Sequence, residues 1–231
     1  WSHPRVVKRF VKSSAASGNC DILHITDQEQ AHLVPKSCKV PVVVTVHDLF
    51  HFFPKQVKIG QETIQVGEAK PPSYRSRDLK KLKNGLRRAD LLVCDSRATL
   101  FDCKKHFPNV KSICVPLGLD IDAFANFAQT DSEVIGPAQN LPEGCNLLIV
   151  GSHDPRKRLK FICEVLGGLD DSIKSEINIH HVGNAECPYG GPSTHHLVKQ
   201  NNVQNWNGIG MNLSYRELMW MRIKSDALLF P

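Results

Sequence analysis

The sequence lacks any apolar run of the roughly eighteen residues that a membrane-crossing helix needs. Its first residues also lack the charged and then apolar order of a secretion signal. These two absences argue against an integral membrane protein and against export. We expect a globular, cytoplasmic protein whose contact with a membrane, if it has one, is peripheral.

Closely spaced cysteines are also missing. The eight cysteines form no C-x-x-C pair, and several lie inside apolar runs, where cysteine behaves as a small hydrophobic residue. Disulfide scaffolds and structural zinc sites need tighter spacing than this. The pattern therefore favours a reducing compartment.

Aromatic side chains are scarce, at 7% of the chain, and they do not alternate with the basic clusters. Proteins that bind single-stranded nucleic acid place aromatic residues beside their cations, so we predict no nucleic-acid partner. The formal net charge of +6 suggests phosphate-bearing ligands or an anionic surface instead. The basic residues concentrate at 80–88, where helical spacing predicts a solvated helix face, and at 156–158.

Short apolar, β-rich runs alternate with stretches of helical periodicity. Their continuous hydrophobicity predicts strands covered on both faces, as in a parallel sheet of an α/β fold. The predicted strands are residues 21–26, 40–46, 89–94, 112–115, 146–150, 177–182, 205–209 and 227–230. The predicted helices are residues 73–88, 97–106, 159–169, 195–201 and 214–224. A segment rich in Gly, Pro, Asn and Ser at 131–144 predicts a boundary between domains 1–140 and 141–231.

The segment 147–159 carries the strongest chemical signal. A buried strand ends in Gly151, a short polar loop follows, and basic residues open the next helix. Free N–H groups at this edge favour an anion, and Arg156 with Lys157 would neutralise a diphosphate. The alternative, in which both cations only begin a helix, carries equal weight from these residues alone.

Residues 151–157 read Gly-Ser-His-Asp-Pro-Arg-Lys, which resembles the Gly-x-x-x-Pro-Arg-Lys signature of family-4 retaining glycosyltransferases. Further segments resemble landmarks of that family in their usual order, at 24–33, 43–49, 89–98, 115–120 and 226–231. The resemblance, to a group-1, mannosyltransferase-like type, implies the GT-B fold, with two Rossmann-like domains facing each other. It also implies a nucleotide-sugar donor on the second domain, a saccharide or lipid-linked acceptor on the first, polysaccharide biosynthesis, and no cofactor.

The resemblance implies specific donor contacts. Lys157 would contact the donor diphosphate, and the family adds an arginine slightly upstream, where this chain has Ser152 or His153. His153 or Arg156 would then have to supply the second phosphate contact. The backbone of Met211 and Asn212 would read the base, which leaves GDP, UDP and ADP sugars open.

On the acceptor side, His47 and Asp48 follow a predicted strand and should emerge at the carboxyl edge of the sheet. The resemblance implies that His47 is the active-site histidine that bonds the transferred sugar, whereas a turn with a satisfied histidine is the alternative. Asp27 either lines the acceptor side or caps a helix. Gly118 either allows close backbone approach or simply lies near a turn.

The paired histidines at 180–181 and 195–196 raise a metal site as an alternative. Adjacent side chains of a strand point to opposite faces, so we predict no metal. Members of the resembled family extend further at both ends, including a paired-glutamate motif after the last strand. We therefore expect this polypeptide to be truncated and to have weak or no transferase activity alone. A catalytically inactive Rossmann-like nucleotide- or phosphate-binding module is the competing interpretation.

Overall fold

The computed structural model describes residues 4–60, 62–130, 133–187 and 191–230. The chain divides between Leu119 and Asp120 into two compact units. The predicted boundary at 140/141 lies further along the chain. The intervening residues fold with the second unit, because the 3-10 turn Gly136–Asn140 and the helix Ile121–Thr130 both contact the helix Tyr215–Lys224.

The first unit contains a four-stranded parallel sheet with helices and a separate hairpin. Its elements in chain order are α1 (Pro4–Ala16), β1 (Leu23–Ile25), β2 (Val42–Val46), β3 (Lys55–Ile59), β4 (Glu62–Val66), α2 (Ser73–Leu86), β5 (Leu91–Cys94), α3 (Arg97–His106) and β6 (Lys111–Cys114). The sheet order is β1-β2-β5-β6, and β3 pairs with β4 antiparallel. Parallel order requires crossover connections, which α2 and α3 provide.

The core of the first unit forms around its two central strands. Val44 in β2 and Leu92 in β5 are fully buried and pair in register. Leu82 and Leu86 of α2 pack into the same cluster. Such continuous burial explains why these strands read as unbroken apolar runs in the sequence.

The second unit contains another four-stranded parallel sheet, in the order β10-β7-β8-β9. Its elements are α4 (Ile121–Thr130), β7 (Cys145–Val150), α5 (Leu159–Gly167), α6 (Asp171–Glu176), β8 (Ile177–Val182), α7 (Thr194–Gln200), β9 (Trp206–Gly210), α8 (Tyr215–Lys224) and β10 (Ala227–Leu228). Successive residues of β7 face opposite sides. Leu148 packs with Trp220 of α8, and Ile149 packs with Leu159 of α5, so the sheet is covered on both faces.

Serine caps begin three of the helices. Ser96 accepts a hydrogen bond from the Thr99 amide at 3.1 Å, which satisfies one free donor at the start of α3. Ser214 forms a capping box with Glu217, whose carboxylate accepts from the Ser214 amide at 2.7 Å. Ser193 caps α7 in the same manner.

All the predicted strands and helices occur, and those at 97–106 and 177–182 match to the residue. Four elements were not predicted: α1, the β3–β4 hairpin, α4 and α6. β3 is exposed along most of its length and β4 is mostly half-buried, so neither strand has the apolar run that marks the other strands. No helix in the described ranges combines the length and the hydropathy needed to cross a bilayer.

Candidate functional site

Three neighbouring strands of the second unit reach a glycine at the carboxyl edge of the sheet. Gly151 follows β7, Gly183 follows β8, and Gly210 ends β9. The Gly183 amide donates to the carbonyl of Gly210 at 2.9 Å, and a Cβ at Gly183 would overlap the carbonyl of Gly151. The three strand ends therefore approach closely and leave a backbone-lined edge, where α/β sheets bind ligands.

Lys157 lies across this edge. It ends a short 3-10 turn that Asp154 caps, and Arg158 in the left-handed conformation separates that turn from α5. A Cβ at Gly151 would come within 3.2 Å of the Lys157 Cε, so glycine makes room for the lysine stem. The Lys157 ammonium sits 4.8 Å from the centre of the Phe230 ring.

Among the described residues, no carboxylate pairs with the charge of Lys157. None of the ion pairs formed within the described ranges includes Lys157. A cation held over an aromatic face keeps its attraction for an anion. This ammonium is therefore positioned to bind a phosphate at the carboxyl edge of β7.

Arg156, the neighbouring predicted phosphate ligand, has a different environment. Its Nε donates to Oδ1 of Asp154 at 3.1 Å, and its Nη2 donates to Oδ2 at 3.2 Å. Such a two-point pair occupies the guanidinium and cancels its charge locally. An incoming diphosphate would have to compete with Asp154 for Arg156.

His153 is buried rather than presented to a ligand, with 7% of its surface exposed. Its Nδ1 lies 3.2 Å from the carbonyl of Ala185 and 3.0 Å from the hydroxyl of Thr194, and its amide donates to the carbonyl of Asn184 at 2.8 Å. These bonds join the loop after β7 to the loop after β8. Ser152 is exposed, and its hydroxyl accepts from the Asn184 amide at 3.4 Å. His153 thus acts as a positioning residue here.

A cavity of about 250 Å³ opens beside the ends of β8 and β9. Met211 and Asn212, predicted to meet the base through their backbone, both line it. The remaining lining residues are His181, Gly183, Asn184, Ala185, Thr194, His195, Trp206, Gly208 and Gly210. This cavity therefore lies on the same sheet edge as the glycines that end β7, β8 and β9.

Two aromatic rings of this cavity were missed from the sequence. A Cβ at Gly208 would lie 3.8 Å from Nε2 of His195 and 4.0 Å from Nε1 of Trp206, so both ring nitrogens converge above that glycine. Trp206 and Gly208 lie two strand positions apart and so share one face, which is the signal that was available. A register shift between Gly208 and Gly210 interrupts this alternation, so spacing alone does not place Gly210. His195 comes from α7, so its approach depends on the tertiary fold.

The buried histidines of β8 support this edge. Nε2 of His181 lies 2.8 Å from the carbonyl of Gly151, and Nε2 of His180 lies 2.8 Å from Oδ1 of Asn146. Burial lowers the pKa of both histidines, so both are neutral near pH 7. Within the described part of the chain, no three His, Cys, Asp or Glu side chains are grouped to hold a metal ion.

In the first unit, His47 directly follows β2, and both of its ring nitrogens form hydrogen bonds. Nδ1 lies 3.1 Å from Oδ2 of Asp95, and Nε2 lies 3.2 Å from the carbonyl of Thr26. Both partners only accept hydrogen bonds, so they favour the doubly protonated ring. The hydrogen bond to Asp95 raises the pKa of His47, burial opposes that shift, and the Thr26 carbonyl adds to it. The partners of His47 thus belong to its own unit and favour the protonated ring.

The other predicted acceptor-side residues have local structural roles. Oδ1 of Asp27 accepts from the Glu29 amide at 2.7 Å and caps the 3-10 helix Gln28–Leu33. Oδ1 of Asp48 accepts from the Phe50 amide at 3.2 Å. A Cβ at Gly118 would meet no described atom within 4 Å, so no close backbone approach explains this glycine.

No family model matches the chain, and no curated protein matches it. Solved structures do match. The trehalose-6-phosphate protein from E. coli bound with UDP-2-fluoro glucose has a TM-score of 0.61 at 14% identity, over 98% of this chain and 56% of that one. A UDP-forming α,α-trehalose-phosphate synthase from Burkholderia xenovorans, in complex with glucose-6-phosphate, has a TM-score of 0.60 at 12% identity, over 96% and 56%. HepE from Anabaena, in complex with UDP and glucose, has a TM-score of 0.57 at 13% identity, over 97% and 55%.

At these identities the likeness shows the fold alone. The chain has the α/β fold of GT-B glycosyltransferase structures, which confirms the predicted fold class. It spans little more than half the length of the proteins that it matches.

Proposed function

We propose that this chain forms part of a retaining GT-B glycosyltransferase, with the second unit binding the nucleotide-sugar donor. The observation that carries the proposal is Lys157, an ammonium without a carboxylate partner that crosses Gly151 at the carboxyl edge of the sheet. A donor diphosphate supplies the missing negative charge. The donor is a substrate, consumed in each transfer.

The cavity beside Trp206 and His195 would hold the nucleoside. It lies on the same sheet edge as Gly151, so a nucleotide seated there directs its phosphates toward Lys157. Two of the structures with the same fold were determined with UDP or a UDP-sugar, so UDP is tested beside GDP and ADP as the donor nucleotide.

The proposed chemistry is electrostatic. Lys157 stabilises the diphosphate as the bond to the sugar breaks. The acceptor hydroxyl attacks from the same face of the sugar, so configuration is retained and no side-chain nucleophile is needed. A fixed charge of this kind contributes about 10²- to 10³-fold to turnover in enzymes that use it.

The finer assignment follows the sequence motifs. We propose a family-4, mannosyltransferase-like enzyme of the cytoplasm, acting on a saccharide or lipid-linked acceptor in polysaccharide synthesis. Its signature is the Gly-x-x-x-Pro-Arg-Lys sequence at 151–157. A comparison of GDP-mannose with UDP-glucose tests this assignment. Preferential binding of GDP-mannose would support a mannosyltransferase-like enzyme, and preferential binding of UDP-glucose would support a UDP-glucose enzyme.

Ligand-observed NMR of the purified chain with UDP, GDP, ADP, UDP-glucose and GDP-mannose tests the proposal. We expect one nucleotide to bind, and Lys157→Met to weaken it at least about tenfold, because a charged contact is lost while the side-chain stem remains. Lys160→Met is the matched control, since Lys160 lies on α5, is exposed, and pairs with Glu164 at 3.4 Å. Equal binding by the Lys157 and Lys160 variants, or no binding of any nucleotide, would contradict the proposed donor site.

A further inference from the structure

A second cavity, of about 430 Å³, lies in the first unit between α2 and the loops that flank the β3–β4 hairpin. Lys80 and Lys83 of α2 and Arg87 at its C-cap line one side of it, and Phe52, His51 and Glu68 contribute from the loops. Positions i, i+3 and i+7 share one face of a helix, which explains why three cations of a single helix converge. Ligand cavities commonly measure about 300–1,000 Å³.

No carboxylate in the described part of the chain forms an ion pair with any of the three cations. No ion pair formed within the described ranges includes Lys80, Lys83 or Arg87. Arg87 donates to Oδ1 of Asn84 at 3.1 Å, a neutral partner. Glu68 is the one carboxylate among the lining residues, against three cations.

Aromatic rings hold two of these cations in place. The Lys83 ammonium lies 4.3 Å from the centre of the Phe53 ring, and the Arg87 guanidinium lies 5.9 Å from that of Phe107. Phe53 in turn stacks on His106, with ring centres 3.6 Å apart. Lys83 is therefore half-buried against Phe53, unlike a lysine that extends freely into water.

Nearby positive charges contribute to lowering the pKa of Lys83 and that of His106. Burial lowers the pKa of Lys83, and the charge of Arg87 lowers it further. Burial also lowers the pKa of His106, and Lys105, Lys83 and Lys55 act in the same direction, while Asp102 opposes them. Asp102 itself pairs with Lys55 at 3.3 Å, so its charge is already partly used. An anion in the cavity would relieve this repulsion.

We propose that this cavity is a second phosphate-binding site, formed by Lys80 and Lys83 on α2 and Arg87 at its C-cap, and independent of the donor site at Lys157. Its ligand is a phosphate monoester or diphosphate group, carried by a small sugar phosphate or by a lipid headgroup. The sequence alone predicted a solvated helix face here. The packing of Lys83 against Phe53 and the shared cavity distinguish this face from a solvated one.

Calorimetric titration of glucose 6-phosphate and pyrophosphate into the Lys157→Met chain, at low salt, tests the site without the donor contact. We expect binding that Lys83→Met and Arg87→Met each weaken at least about tenfold. Lys81→Met is the matched control, because Lys81 lies on the same helix, is exposed, and pairs with Asp78 at 2.9 Å. Methionine retains the side-chain stem, and the exposed Arg87 gives the same test if Lys83→Met does not fold.

Sedimentation with vesicles of phosphatidic acid in phosphatidylcholine, compared with vesicles of phosphatidylcholine alone, distinguishes the source of the phosphate, because phosphatidic acid presents a phosphate monoester. Saturable binding of the soluble phosphates assigns a sugar phosphate, and binding only to the anionic vesicles assigns a lipid headgroup. Either result supports the site when it depends on Lys83 or Arg87. Absence of binding in both arms overturns the proposal, as does a loss in Lys81→Met equal to that in Lys83→Met. Nucleotide binding at Lys157 is measured separately, so the two proposals fail or succeed independently.

Discussion

The basic side chain that follows β2 in the first unit and the one that follows β7 in the second have different partners. His47, after β2, bonds to Asp95 and Thr26 through its ring, and its carbonyl accepts from the hydroxyl of Thr99 at 2.9 Å. Lys157, after β7, is held by an aromatic ring and by the space above Gly151. A basic side chain whose partners belong to its own unit stabilises the fold, whereas one that no described carboxylate pairs with is available to an anionic ligand.

The histidines of the two units also differ in the direction of their pKa shifts. His47 has a raised pKa, so the native state holds its proton more tightly than the unfolded chain does. Its stabilising contribution is complete below the ordinary value of 6.5 and is lost as pH rises through the raised pKa. His181 has a lowered pKa and opposes folding in acid, because the unfolded chain binds its proton more readily.

Gly183→Ala should have the largest effect, because its Cβ would overlap the backbone of Gly151, which cannot move aside cheaply. We expect a loss of about 3 kcal/mol in the free energy of unfolding of the second unit. Urea unfolding followed by the fluorescence of Trp206 and Trp220 measures it. Gly118→Ala, in open space in the first unit, is the control and should stay within about 0.5 kcal/mol.

His181→Leu should cost about 2 kcal/mol at pH 7.5, since it leaves the Gly151 carbonyl without its donor. The difference from the parent chain should shrink at pH 5, where protonation of His181 already destabilises the parent. Urea unfolding at both pH values checks this. A difference that grows in acid would show that His181 is charged in the native state.

Ser214→Ala should cost about 1 kcal/mol by removing the side-chain half of the capping box of α8. Ser96→Ala, at the simpler cap of α3, tests the same device in the first unit. Hydrogen exchange of peptides from each helix measures the two losses separately. A cost confined to the first unit would mean that the capping box adds nothing to the stability of α8.

Asp95→Asn should change stability least, by less than about 1 kcal/mol, because the His47 side chain is 44% exposed and solvent screens the pair. Its clear effect should be a lower pKa for His47, since the largest cause of the raised value is removed. An NMR titration of the histidine ring protons reads this shift. An unchanged pKa would mean that Asp95 does not hold the proton on His47.

The sequence predicted the strands of both parallel sheets and the helices α2, α3, α5, α7 and α8, because each of these elements has a recognisable local pattern. The apolar runs of β2 and β7 reflect burial on both faces, and Ser96 lies one residue before its helix. The sequence also predicted that Lys157 follows a strand and a glycine. The division between Leu119 and Asp120 was not, because α4 joins the second unit through contacts with α8, far along the chain.

Residue pattern by itself determined the fold class, the alternation of strands and helices, and the place of Lys157 at the carboxyl edge of β7. Only the tertiary structure decided that His153 is buried against Thr194, that Trp206 and His195 share a cavity, and that Lys83 packs on Phe53. The physical reason is that these partners lie in different elements of the chain. Burial and hydrogen bonding are set by neighbours in space, whereas strand and helix patterns are set by neighbours in sequence.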